Sequence, residues 1–72
     1  MIYIVSLLNK QGEEILSRLE SDLWVAQYTA KRLLGDGYVR YENTTHEALG
    51  THKVTIEDQD RKCLYEYFYP LT

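Results

Sequence analysis

Ser21–Gly37, SDLWVAQYTAKRLLGDG, is the stretch that decides how the rest of the chain is read. Ser21 or Asp22 can cap a helix start, because a short side-chain oxygen accepts from first-turn N–H groups that have no partner of their own. Lys31 and Arg32 fall in the last turn, where positive charge suits the carbonyl end of the dipole. Gly35 and Gly37 are placed to supply a left-handed stop. At about 100° per residue, Leu23, Ala26, Ala30, Leu33 and Leu34 share one face, with Gln27 at its margin. Trp24, Val25, Tyr28 and Arg32 fall on the other. The pattern predicts one amphipathic helix packed on a small sheet, with an unusually aromatic outer side.

Upstream, Ile2–Leu8 is apolar and partly β-branched, as suits a central strand. In the following LNKQGEEI, an Asn opening a turn and a Gly three residues later suit a type I turn closed by a left-handed glycine. Glu14–Glu20 then returns as a second strand, with Ile15, Ser17 and Leu19 on one side. A rival reading exists. Leu16, Leu19, Leu23, Ala26, Ala30 and Leu33 are spaced like a heptad seam, and EEILSRLESDLW is good helix material. On that reading one long helix covers 13–34. The Gly12 turn and the cap-like Ser21-Asp22 favour the hairpin.

Downstream, Gly37–Asn43 reads as a strand and Asn43–Gly50 as a polar loop. His52, Val54 and Ile56 alternate with Thr51, Lys53, Thr55 and Glu57 in a half-buried strand. Asp58-Gln59-Asp60 makes a turn, and Arg61–Tyr69 is the last strand, closed by Pro70. The order is ββαβββ, an α+β fold in one domain spanning 1–72: a mostly antiparallel sheet with one amphipathic helix on one face. The face that the helix leaves open must be polar, self-associating or engaged with something else.

A chain of 72 residues buries only about 60% of its unfolded surface, so its core is marginal unless something adds to it. The single cysteine, Cys63, excludes an internal disulfide, and no Cys/His array offers a structural zinc, which raises the case for a homodimer. Net charge is −3, with 8 basic and 11 acidic residues mixed along the chain. Non-specific nucleic-acid binders carry a basic face, so that class is disfavoured. The N-terminal MIYIVSLLN lacks a basic region and a cleavage site and is too short to span a membrane. A cytoplasmic protein with no membrane segment is expected, and a lone thiol is at ease in that compartment.

Two aromatic features stand out among residues that are 12% aromatic, with seven tyrosines. Trp24 and Tyr28 lie one helical turn apart, followed by Lys31 and Arg32. Trp, Tyr and Arg dominate binding hot spots, so this side is a candidate partner-binding ridge; the competing reading has Trp24 folding over the sheet edge to complete the core. Cys63, Tyr65, Tyr67 and Tyr69 alternate with Leu64, Glu66 and Phe68, so the tyrosines share one strand face. With Tyr38 or Tyr41 beside them they could form a second protein-binding surface, a base-stacking surface, or simple cross-strand pairs. Glu66 on the opposite side suggests that the tyrosines face the helix.

Catalytic signatures are thin. His46, His52 and Cys63 lack the spacing of a nucleophile–base set or a metal site, and solvated loop histidines are the ordinary explanation. Gly35-Asp36-Gly37 is occupied as a helix stop rather than a phosphate loop. No cofactor and no catalytic residue is expected. Acidic residues at Glu13-Glu14 and Glu57-Asp58-Asp60 read as solvated hairpin tips. In size, acidity and aromatic richness the chain resembles the small early proteins of bacteriophages and mobile elements, which often act by binding and inhibiting a host protein. That likeness is compositional and assigns no site residue. The expected function is therefore a non-enzymatic protein-binding module, an inhibitor or modulator of another protein, with Trp24, Tyr28, Lys31, Arg32, Tyr65, Tyr67 and Tyr69 as partner-binding residues. A single-strand nucleic-acid binder and a structural homodimer are the alternatives.

Overall fold

The computed structural model describes residues 1–35, 38–40 and 43–70. Strands β1 (Tyr3–Asn9) and β2 (Glu14–Glu20) lead into helix α1 (Leu23–Gly35). Two short strands follow, β3 (Tyr38–Val39) and β4 (Thr44–Thr45), then a single helical turn, α2 (His46–Leu49). The chain closes with β5 (Thr51–Glu57) and β6 (Cys63–Phe68). The main sheet is antiparallel in the order β2-β1-β5-β6, and β3 pairs with β4 in a separate two-stranded sheet. This is the expected α+β architecture, with four strands in the main sheet where sequence suggested five.

Both outer pairings rest on the same hairpin device. In the first, Asn9 Oδ1 accepts from the N–H groups of Gln11 and Glu13 at 3.0 and 2.9 Å, and the Gly12 N–H donates to the Asn9 carbonyl. In the second, Asp58 Oδ1 accepts from Asp60 and Lys62 at 2.9 and 3.0 Å, and the Arg61 N–H donates to the Asp58 carbonyl. The fourth residue of each turn is left-handed: Gly12 at φ 82° and Arg61 at φ 65°. A register shift sits at the equivalent place in each, between Leu7 and Leu8 and between Ile56 and Glu57. Glycine holds that conformation freely, whereas an arginine pays about 1–2 kcal/mol for it. The Arg61–Glu57 ion pair, 3.2 Å and mostly solvated, returns little of that.

The long-helix alternative fails at this point. Residues 14–20 pair with β1 from Leu16 opposite Leu7 to Glu20 opposite Tyr3. The heptad-like seam is therefore a strand followed by a helix, broken where Asp22 caps α1. The Asp22 carboxylate accepts from Trp24 N–H at 2.8 Å, so of the two cap candidates Asp22 is the one used. Gly35 ends α1 without a left-handed φ, which departs from its expected role as the stop. Gly37 lies outside the described residues, as do Tyr41 and Glu42.

Cross-strand register fixes the two faces. Val5 and Leu7 on β1, Val54 and Ile56 on β5, and Tyr65 and Tyr67 on β6 are paired on the side that α1 covers. Ala26, Ala30, Leu33 and Leu34 close the core from above, all buried. Burying a side chain the size of Leu7 or Ile56 contributes about 2–3 kcal/mol before the entropic cost. Ile15 departs from the expected alternation. It packs on this core beside Leu16, because the register shift turns it away from exposed Ser17 and Leu19. On the opposite, open face, Ser17, Ser6, Thr55 and Glu66 form one cross-strand row. Ser6 donates to Glu14 at 3.3 Å, and Lys53 pairs with Glu66 at 2.7 Å. The open face thus carries a polar central row, in which Ser6 and Thr55 are themselves buried, flanked by Ile4 and Leu8 on β1 and by exposed Leu19, Leu64 and Phe68.

Candidate protein-docking surface

The surface begins at the cap. Because Asp22 fixes the first turn, Trp24 starts a row that continues one turn on at Tyr28 and another at Arg32. The Trp24 and Tyr28 rings are stacked, 5.8 Å between centroids and 6° from parallel. The Arg32 guanidinium lies 5.7 Å from the Tyr28 ring centroid, and its Nη1 donates to the Tyr28 hydroxyl at 3.2 Å. Trp24 is 70% exposed and Tyr28 50%. Trp24 therefore does not complete the core from the sheet edge; the core is closed without it. Each stacking and cation–π contact contributes about 0.5–1.5 kcal/mol, enough to hold the rings in place while their outer surfaces stay open to solvent.

The β6 tyrosines stand on the helix side of the sheet, as Glu66 suggested. Tyr65 and Tyr67 stack at 6.4 Å and 11°. Tyr67 is half-buried against the core, and this desolvation, with Tyr65 beside it, pushes its hydroxyl pKa up. Lys31 Nζ sits 5.9 Å from the Tyr67 ring centroid. Lys31 and Arg32 are neighbours in the chain, and each caps a different aromatic pair. Lys31 thus reaches across the seam between α1 and β6 to the tyrosine ladder, while Trp24, Tyr28 and Arg32 line the outer side of the helix.

Tyr69 does not join it. It lies past the end of β6 and packs on His46, 4.6 Å between centroids with the rings tilted by 33°. Tyr41, and the side chain of Tyr38, lie outside the described residues, so their proposed part in the ladder has no counterpart here.

His46 corrects the reading of both histidines as solvated loop residues. It is 1% exposed, its Nδ1 is 3.0 Å from Thr51 Oγ1, and its Nε2 is buried with no partner among the described residues. The signal for the helical turn that carries it, though not for its burial, is present in TTHEALG. Thr45 Oγ1 accepts from Ala48 N–H at 3.2 Å, and Gly50 at φ 70° ends the turn, so a cap and a stop five residues apart fold a helical turn out of an apparent loop. Beside it, a cleft of about 530 Å³ is walled by Lys10, His46, Thr51, His52 and Tyr69. His52 is half-buried and meets Phe68 edge-on at 5.6 Å.

Cys63 is exposed, and partial desolvation, then Glu66 and Glu57, push its pKa up, which favours the thiol over the more nucleophilic thiolate. Among the described residues no three His, Cys, Asp or Glu side chains are grouped to hold a metal ion, and no helix is long and apolar enough to cross a membrane. No protein-family model, no curated protein and no solved structure matches the chain.

Proposed function

We propose that this chain is a non-catalytic protein-binding module that docks through the α1–β6 seam and acts by covering a surface of its partner, as an inhibitor or modulator would. The supporting observation is the stacked Trp24–Tyr28 pair. A small domain normally needs its only tryptophan for stability, yet here it stands solvent-exposed and braced by Tyr28 and Arg32. Rigid aromatics beside a guanidinium bury large area at low entropic cost, which is the composition of a binding hot spot. Lys31, Tyr65 and Tyr67 extend the patch; Tyr69 supports it only indirectly, through β6. The exposed lone thiol of Cys63 favours a reducing, cytoplasmic setting for the encounter.

The test is capture from a bacterial lysate by the tagged chain and by its Trp24→Ala/Tyr28→Ala variant, with nuclease and high salt. The expected result is a stoichiometric protein held by the wild type and lost from a variant whose circular dichroism is native. Equal capture by both overturns the assignment of the ridge. The Tyr65–Tyr67 stack with Lys31 beside it favours one second reading, stacking of single-stranded bases. That reading requires an affinity for oligonucleotide that falls steeply with salt, and a salt-independent or absent signal removes it.

A further inference from the structure

Strand β6 is an edge of the main sheet: it pairs with β5, and among the described residues no strand pairs with its outer side. Ladder bonds alternate along an antiparallel strand, so one bond fixes the direction of the rest. The Tyr69 N–H donates to the His52 carbonyl at 2.9 Å, one step beyond the pairing of Phe68 with Lys53. Tyr65, Tyr67 and Tyr69 therefore turn their main-chain groups toward β5. The N–H and C=O groups of Glu66 and Phe68 point away from the sheet, with no strand beyond them. Proteins usually blunt such an edge with charge or proline. The opposite edge, β2, carries Glu14, Arg18 and Glu20. Beside the free groups of β6 the side chains are mostly aromatic, with Tyr65 40% and Phe68 53% exposed. The register shift near Cys63 and Pro70 after Tyr69 confine the open stretch to the middle of the strand.

We propose that β6 receives an extended segment of a partner protein as an added strand, and that this segment carries a carboxylate between apolar residues. The proposal rests on the docking reading above and names what the β6 side of the seam takes. A row of main-chain donors and acceptors is matched by another main chain, and alternate side chains then set specificity. A strand laid there runs about 4.8 Å outside β6. Its residue opposite Tyr67 falls on the helix side, at the kind of position where facing side chains come closest. Lys31 Nζ lies 5.9 Å from the Tyr67 ring centroid and has no carboxylate partner among the described residues, so an acidic residue is the complement there. On the open face, Glu66 is already paired with Lys53 at 2.7 Å, and exposed Phe68 suits an apolar neighbour. A second copy suits the edge less, because the register that centres β6 on itself at Glu66 sets two carboxylates face to face.

Amide hydrogen exchange and NMR titration of the full chain test this. The probes are short acetylated peptides of alternating Thr and Val with Glu, Gln or Lys at the centre. In the free chain the Glu66 and Phe68 amides should exchange fast and those of Tyr65 and Tyr67 slowly. The Glu peptide should protect Glu66 and Phe68 with a dissociation constant below about 1 mM, and bind about tenfold tighter than the Lys peptide at low salt. Lys31→Gln, on the exposed side of α1, should keep the fold and erase that preference. Glu66→Pro removes an outward N–H and no bond to β5, so it should abolish peptide binding with native circular dichroism. Absence of protection by every peptide at about 1 mM overturns the proposal, as does equal binding of the Glu and Lys peptides to the wild type. Protection that grows with chain concentration in the absence of peptide would make a second copy the occupant and overturn the choice of partner. A captured protein lost from Trp24→Ala/Tyr28→Ala but kept by Glu66→Pro would leave the docking reading standing without strand addition. Peptide protection at β6 with capture indifferent to Trp24 and Tyr28 would keep the edge and remove the ridge.

Discussion

The two faces of α1 divide the helix against the usual order of size. The inner face holds two alanines, Ala26 and Ala30, both fully buried, beside Leu33 and Leu34. The outer face holds a tryptophan, a tyrosine and an arginine. Small residues inward let the helix lie close over Val5, Leu7, Val54 and Ile56, and large residues outward are not needed to fill the core. The contrast lies within thirteen residues: the inner face holds the fold, and the outer face carries the row proposed for docking.

Substitutions that sharpen this contrast rank by expected effect. Leu34→Ala opens a cavity under the helix and should lower unfolding free energy by about 3 kcal/mol, read from urea unfolding followed by circular dichroism. Ala30→Leu forces added methylenes between helix and sheet and should cost about 2 kcal/mol in the same assay; a neutral result would mean that α1 is not closely seated. Asp22→Ala removes the cap that serves both faces, so a loss of about 1 kcal/mol should accompany weaker partner capture. Trp24→Ala should change stability by only about 0.5 kcal/mol while removing capture.

Where local chemistry decides, the sequence was sufficient. Asn9 and Gly12 announced the first hairpin, the inner face of α1 followed from its spacing, and Glu66 pointed the tyrosines toward the helix. The heptad-like leucines of 16–33 fit a helix as well as a strand then a helix; the Gly12 turn and the cap at Ser21-Asp22 favour the strand, and pairing with β1 bears that reading out. Two features escaped for physical reasons. A strand is expected over Gly37–Asn43, but among the described residues of that stretch only Tyr38–Val39 is strand, and it pairs with Thr44–Thr45 outside the main sheet. The burial of His46 depends on Tyr69 arriving from the far end of the chain, which no local pattern reports. For the docking surface, the ridge itself was legible. The reach of Lys31 across to Tyr67 on the β6 ladder was not, because that contact joins residues distant in sequence.

The central claim is that the exposed ring stack belongs to recognition and not to the core. Urea unfolding of the Trp24→Ala/Tyr28→Ala double variant at low protein concentration, followed by circular dichroism, tests it most directly. The account predicts a native spectrum and an unfolding free energy within about 1 kcal/mol of wild type. A loss of about 3 kcal/mol or more, equal to that of an inner-face leucine, would return both rings to the core and contradict it.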